Sequence, residues 1–142
     1  MKKTAVIYWS AGGNTEIMAN NIADGIRSAG AEAELFTVSE FGNRNIDDYD
    51  GLALGCPAMG AEVLEESEFE PFLTSIESEL AGRKVAIFGS FGWGDGEWMR
   101  SWEKRMKDDC CRLFEKGLMI NLTPDSDGEK ECFDFGARFA KF

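Results

Sequence analysis

The sequence predicts an α/β fold in which a parallel sheet is covered by helices on both faces. Two observations carry this. Short apolar, β-prone runs alternate along the chain with segments whose apolar residues recur every three or four positions. The first such run, Thr4-Ala-Val-Ile-Tyr-Trp9, ends directly on Ser10-Ala-Gly-Gly-Asn-Thr15, after which a helical pattern begins. Sheets built this way place a ligand crevice at the carboxyl ends of their strands, where the chain order switches direction.

The elements follow in order. After the first strand, Ile17, Met18, Ala19, Ile22, Ala23, Ile26 and Ala29 form one amphipathic stripe that stops at Gly30. Ala31 to Val38 alternates as a second strand. Ser39 to Asp50 is polar and Asn-rich, leaving room for little more than a helical turn. A buried strand, Gly51-Leu-Ala-Leu-Gly-Cys56, is stopped by Pro57, and Ala58 to Ser67 has no regular period and reads as an exposed functional loop. Phe69, Phe72, Leu73, Ile76 and Leu80 mark a second helix, and Lys84 to Phe88 a fourth strand. The loop Gly89-Ser-Phe-Gly-Trp-Gly-Asp-Gly96 leads to a helix carrying Trp98, Trp102 and Met106. Cys111 to Leu122 holds a fifth strand interrupted at Lys116-Gly117, and Phe133, Gly136, Ala137 and Ala140 suit a closing helix.

At 142 residues with 44% hydrophobic content, the chain is expected to form one domain over 1–142, burying about two-thirds of its unfolded surface. The 26 acidic and 15 basic residues give a formal charge of −11, which repels nucleic acid and anionic membranes and favours partners with basic faces. No apolar stretch reaches the ~20 residues of a membrane span, and the run after Lys2 and Lys3 turns polar too early for a signal peptide. A cytoplasmic protein is expected. There is no histidine, and Cys56, Cys110, Cys111 and Cys132 show no C-x-x-C spacing. Zinc-finger, thioredoxin-type and His-dependent nucleophilic readings therefore fail, no metal site is expected, and any chemistry falls to a cofactor.

Three strand-end loops are the candidates to hold it. Ser10, Ala11, Gly12, Gly13, Asn14 and Thr15 offer hydroxyls, an amide and backbone N–H groups at a helix start, a cradle for phosphate without any Lys or Arg. The absence of a Gly-Lys-Ser/Thr step and of a third glycine favours a mononucleotide. The same residues also suit a plain N-cap with a glycine turn. Trp93, between Gly92 and Gly94, is a stacking platform for a planar ring, whereas Trp98 and Trp102 at helical spacing are core. Met59 either covers the opposite ring face or packs in the core. The run Glu65, Glu66, Glu68 and Glu70 reads as a solvated face, with Glu62 nearest the ring. Asp95 and Glu97 also suit a helix start.

The blocks Tyr8 to Glu16, Leu54 to Phe72 and Phe88 to Met99 resemble the short-chain bacterial flavodoxins, close to the type of anaerobic clostridia and their relatives. The resemblance spans nearly the whole chain. It implies a flavodoxin-like three-layer α/β/α sandwich, a five-stranded parallel sheet in order 2-1-3-4-5, and non-covalent FMN used for one-electron transfer between redox enzymes. Ser10 to Thr15 would hold the FMN phosphate, with Met59 and Trp93 sandwiching the isoalloxazine. Within the segment Pro57, Ala58, Met59, Gly60, Ala61 and Glu62, Gly60 would answer the flavin N5 and Glu62 the N3–H edge. Backbone around Ser90, Phe91, Gly92 and Gly94 would line the remaining polar edge. The chain departs from the family at Gly12, where Thr is usual, and at Ala61, where an acidic or polar residue is frequent. Positive φ is easier at Gly60 than at Ala61, so the Met59–Glu62 turn is expected as type II′.

The expected function is a monomeric low-potential electron carrier serving redox enzymes with basic docking faces. The alternative is an FMN-dependent NAD(P)H:quinone or flavin reductase, which needs a pyridine-nucleotide site. A response-regulator receiver would need acidic residues where Ser10-Ala11 and Cys56-Pro57 stand.

Overall fold

A computed structural model describes all residues from Met1 to Phe142. In chain order the elements are β1 (Lys3–Tyr8), α1 (Asn14–Ser28), β2 (Glu32–Thr37), a short α2 (Val38–Phe41), β3 (Gly51–Gly55), α3 (Phe69–Ile76), β4 (Lys84–Phe91), α4 (Glu97–Asp108), β5 (Arg112–Leu113), β6 (Leu118–Asn121) and α5 (Ser126–Phe139). The sheet order is β2-β1-β3-β4, and the position beyond β4 is shared by β5 and β6. All pairs are parallel, with Val6 facing Leu35 and Ala53, and Ala53 facing Ala86. The expected fifth strand is thus present in two pieces. Arg112 and Leu113 pair with Lys84 and Val85, and Leu118 to Asn121 pair with Phe88 to Phe91.

Alternate residues of each strand enter opposite cores, as the period of two requires. Ala5, Ile7, Leu52, Leu54, Val85 and Ile87 pack with Phe69, Leu73, Trp98 and Trp102 from α3 and α4. Val6, Tyr8, Ala53, Ala86 and Phe88 pack with Ile22, Ile26, Phe135 and Phe139 from α1 and α5. Two comparable cores on either side of one sheet make the three-layer sandwich, and they bury Trp98 and Trp102 as expected. Between α1 and α5 the backbones touch. A Cβ on Gly25 would lie 1.9 Å from the Phe133 carbonyl oxygen, and one on Gly136 would lie 2.1 Å from that of Ile22.

One strand exceeds its expected length. β4 runs on through Gly89, Ser90 and Phe91, because Gly89 lets the chain pass the Cys56 carbonyl oxygen, 2.1 Å from where a Cβ would stand. Pairing also continues past Pro57: Cys56 N–H donates to Phe88 O at 3.0 Å and Ala58 N–H to Ser90 O at 3.0 Å. These bonds fix the loop after β3 against the end of β4. All four cysteines are free, and burial pushes the Cys56 and Cys132 thiols up to about 12.

Candidate functional site

The first loop leaves its donors unspent. Gly13 N–H donates to Ser10 Oγ at 3.1 Å, but the N–H groups of Ser10, Ala11, Gly12, Asn14 and Thr15 have no acceptor within the protein. Gly13, at φ +94°, turns the chain into α1, whose first turn has no side-chain cap. Thr15 is buried and bonded to β4: its Oγ1 accepts from Ser90 N–H at 3.3 Å and donates to Ser90 Oγ at 3.4 Å. Ser10, Ala11, Gly12, Asn14 and Thr15 share a cavity of about 190 Å³ with Pro57, Met59 and Ser90. All three sequence blocks therefore meet at one concavity. Its lining has no Lys or Arg, so the unpaired N–H groups and the helix dipole are its sources of positive potential.

The second loop closes on itself. Met59 and Val63 exchange two backbone hydrogen bonds, of 2.9 and 3.0 Å, around Gly60, Ala61 and Glu62. Gly60 has φ +45° and Ala61 does not have positive φ, the order of signs expected for this turn, and the Val63 N–H to Met59 O bond closes it over five residues. Glu62 has φ +56°, a left-handed conformation costing a side-chain-bearing residue about 1 kcal/mol. Its carboxylate reaches across to the third loop and accepts from Gly96 N–H at 3.2 Å. It lies in a notch left by Gly94, where a Cβ would stand 2.5 Å from Glu62 Oε1.

Behind this turn sits Glu65, which is not on a solvated face. It is 6% exposed, and its carboxylate accepts the N–H groups of Ser67, Glu68 and Phe69 at 2.7 to 2.9 Å and also the Ser67 hydroxyl. Burial alone would raise its pKa, but these donors outweigh burial and hold it at about 2. Glu65 thus ties the loop to the start of α3. Glu70, in the same run, is gripped by Arg105 Nη1 at 2.7 and 2.9 Å, while Glu66 and Glu68 remain exposed.

In the third loop Trp93 is 70% exposed and stands clear of both cores. The Ser90–Phe91 backbone, expected to line the remaining polar edge, lies in the longer β4, where several of its groups already have partners in the protein. Ser90 N–H and O are bonded to Thr15 and Ala58, and Phe91 O accepts from Leu122 N–H at 2.8 Å and Asn121 Nδ2 at 3.1 Å. Ser90 instead borders the first cavity, and Gly92 O accepts a 3.2 Å bond from Asn121 Nδ2. The N–H groups of Trp93 and Gly94 are without acceptors.

A fourth segment, missed in the sequence, completes the end of the sheet. Thr123 Oγ1 donates to Asn14 Oδ1 at 2.9 Å, and Asn121 grips the aromatic loop. Its position after the last strand was the available signal, since every loop at that sheet end faces the crevice. The large apolar side chains left exposed, Val63, Trp93, Met119 and Leu122, belong to these loops and to β6 beside them.

Comparison with known proteins decides among mononucleotide folds. The Flavodoxin family profile matches residues 6–136. The chain is 47% identical over 135 residues to the flavodoxin of Clostridium beijerinckii, covering 95% of this chain and 97% of that one. The chain belongs to the flavodoxin family. It is also 43% identical over 139 residues to the flavodoxin of Megasphaera elsdenii, covering 96% and 97% of the two chains. The solution structure of the two-electron reduced Megasphaera elsdenii flavodoxin superposes with a TM-score of 0.83 at 40% identity, over 98% of this chain and 99% of that one. Flavodoxins bind FMN and carry electrons between redox proteins, and this chain is such a carrier rather than a substrate-converting reductase. The residues present fit that cofactor: Gly12 and Gly13 have nothing within 4 Å of where a Cβ would stand, beside five unpaired N–H donors.

Proposed function

We propose that one FMN binds across the three loops of a single domain spanning residues 1–142, with its phosphate on the N–H groups of Ser10, Ala11, Gly12, Gly13, Asn14 and Thr15. The observation that carries this reading is the cavity of about 190 Å³, where unspent donors face Pro57, Met59 and Ser90. Bound there, FMN supplies a centre that takes up and releases electrons. Met59 and Trp93 cover its ring faces, and exposure of Trp93 before stacking supports that role. The Gly60–Ala61 peptide, free of side-chain crowding at Gly60, presents either its N–H or its carbonyl to the ring edge. Pro57 and Ala58 hold that turn in place through the Ala58–Ser90 bond. Glu62 is positioned to exchange its Gly96 N–H for the ring's N3–H, while Gly92 and Gly94 let the backbone approach.

The carrier acts as a monomer, and four free thiols support its placement in the cytoplasm. Its partners present basic faces to the −11 chain, so electron-transfer rates fall as salt rises. The deciding experiment is denaturation of the purified yellow protein followed by chromatography of the released flavin, expected to give one FMN per chain. Release of FAD, or direct oxidation of NAD(P)H by the holoprotein, would overturn the proposal.

A further inference from the structure

We infer that Thr123, just before α5, is a positioning residue for the phosphate cradle: its hydroxyl draws the carbonyl oxygen of the Asn14 side chain outward and leaves the amide NH2 to face the cavity. The inference rests on the FMN reading above. Thr123 Oγ1 donates to Asn14 Oδ1 at 2.9 Å, while Asn14 Nδ2 has no acceptor in the protein. Asn14 borders the cavity and Thr123 does not, so the bond ties Oδ1 to a neighbour outside it.

Left to itself, an Asn at a helix start folds its side-chain oxygen onto nearby backbone N–H groups. In α1 it does not. The first turn has no side-chain cap, and the N–H groups of Asn14 and Thr15 stay unpaired. A free carboxamide can also turn end over end, because its oxygen and nitrogen ends are nearly the same shape. That turn would aim a carbonyl dipole at an anionic phosphate, in a cavity whose lining has no Lys or Arg to offset it. The Thr123 hydroxyl can accept as well as donate, but once phosphate is bound only the donating arrangement satisfies every group. Thr123 O–H then serves Oδ1, and the NH2 serves the phosphate.

The hydroxyl is itself held still. Leu122 N–H donates to Phe91 O at 2.8 Å, Pro124 confines Thr123 to extended backbone, and Asp125 accepts Gly128 N–H at 2.8 Å as the cap of α5. Backbone contact at Gly25 and Gly136 sets α1 against α5, so the two helix starts keep their spacing. A fixed donor at one helix start thus orients a side chain at the other.

The test is fluorescence titration of the apoprotein with FMN and with riboflavin, which lacks the phosphate. Thr123→Val keeps the shape and deletes the donor; it should weaken FMN binding about three- to fivefold and leave riboflavin binding as it was. Thr123→Ser keeps a hydroxyl and should stay within about twofold of the wild type. Asn14→Ala should weaken FMN binding, and adding Thr123→Val to it should cost nothing more, because the hydroxyl acts through Asn14. Undiminished FMN affinity in Thr123→Val, equal losses for the two flavins, Thr123→Ser as weak as Thr123→Val, or losses that multiply in the double variant would each overturn the role of Thr123. Failure of the FMN reading would show separately, in the wild-type chain, as riboflavin bound as tightly as FMN.

Discussion

At the α1–α5 contact, a Cβ on Gly25 or Gly136 would stand 1.9 or 2.1 Å from a backbone carbonyl oxygen, whereas at Gly12, Gly13 and Gly60 it would meet nothing within 4 Å. The same residue type serves two purposes at the two places. Between the helices, glycine removes volume that the protein itself occupies, and its replacement disturbs packing. At the strand-end loops it leaves open space. Gly13 and Gly60 have positive φ to explain them, but Gly12 has neither a crowded neighbour nor positive φ, so the protein alone gives no reason for a glycine there.

Gly136→Ala should show the largest effect, because the new methyl meets backbone that cannot rotate away. A loss of about 3 kcal/mol, or roughly 10 °C in Tm, is expected by thermal unfolding of the apoprotein. A loss within experimental error would mean that the helices are not in the contact described.

Glu65→Ala tests whether the open loops are nonetheless anchored. Removing the acceptor for three N–H groups at the start of α3 should cost about 2 kcal/mol at neutral pH, measured by urea unfolding. The pKa of Glu65 is lowered by folding, from an ordinary carboxylate value to about 2. Its contribution is therefore present above the unfolded pKa and is lost as pH falls from about 4.5 through 2. The variant should lack that part of the acid-unfolding slope, and an unchanged acid limb would remove Glu65 from this role.

Two smaller effects separate the open glycines from one another. Gly60→Ala should cost the apoprotein about 1 kcal/mol, since only the left-handed backbone is penalised and nothing is struck. A cost equal to that of Gly136→Ala would collapse the distinction between crowded and open sites. Gly12→Thr should leave the apoprotein's Tm nearly unchanged and tighten FMN binding about fivefold, ~1 kcal/mol, by adding a hydroxyl at the phosphate. Calorimetric titration showing weaker binding would instead make the open space at Gly12 something the phosphate requires.

Most of the architecture was legible because apolar spacing is a local property. The stripe from Ile17 to Ala29 and the run Gly51 to Cys56 needed no knowledge of their neighbours. The three loops were legible for the same reason, as each interrupts a clear period with glycine, serine or proline. What was not legible depends on distant atoms. Gly89-Ser-Phe91 has loop composition, yet it is strand, because Gly89 is set by the carbonyl of Cys56, far from it in sequence. Glu65 looked like one of several solvated glutamates, and only the convergence of Ser67, Glu68 and Phe69 N–H groups distinguishes it. Thr123 and Asn121 were passed over because nothing in their own segment announces contact with Asn14 or Phe91.

The divided edge of the sheet affects motion. Between its two pairings with β4, the outer chain has four residues, Phe114 to Gly117, opposite two, Ala86 and Ile87. With that slack between them, the outer strand's two halves are expected to open separately. In native-state amide exchange, Ile120 and Leu122 should therefore lose protection together and at a lower free energy than Phe114, whose N–H is bonded to Val85 O at 2.8 Å. The strand-end half of the edge would then open as its own cooperative unit, without unfolding the rest of the chain.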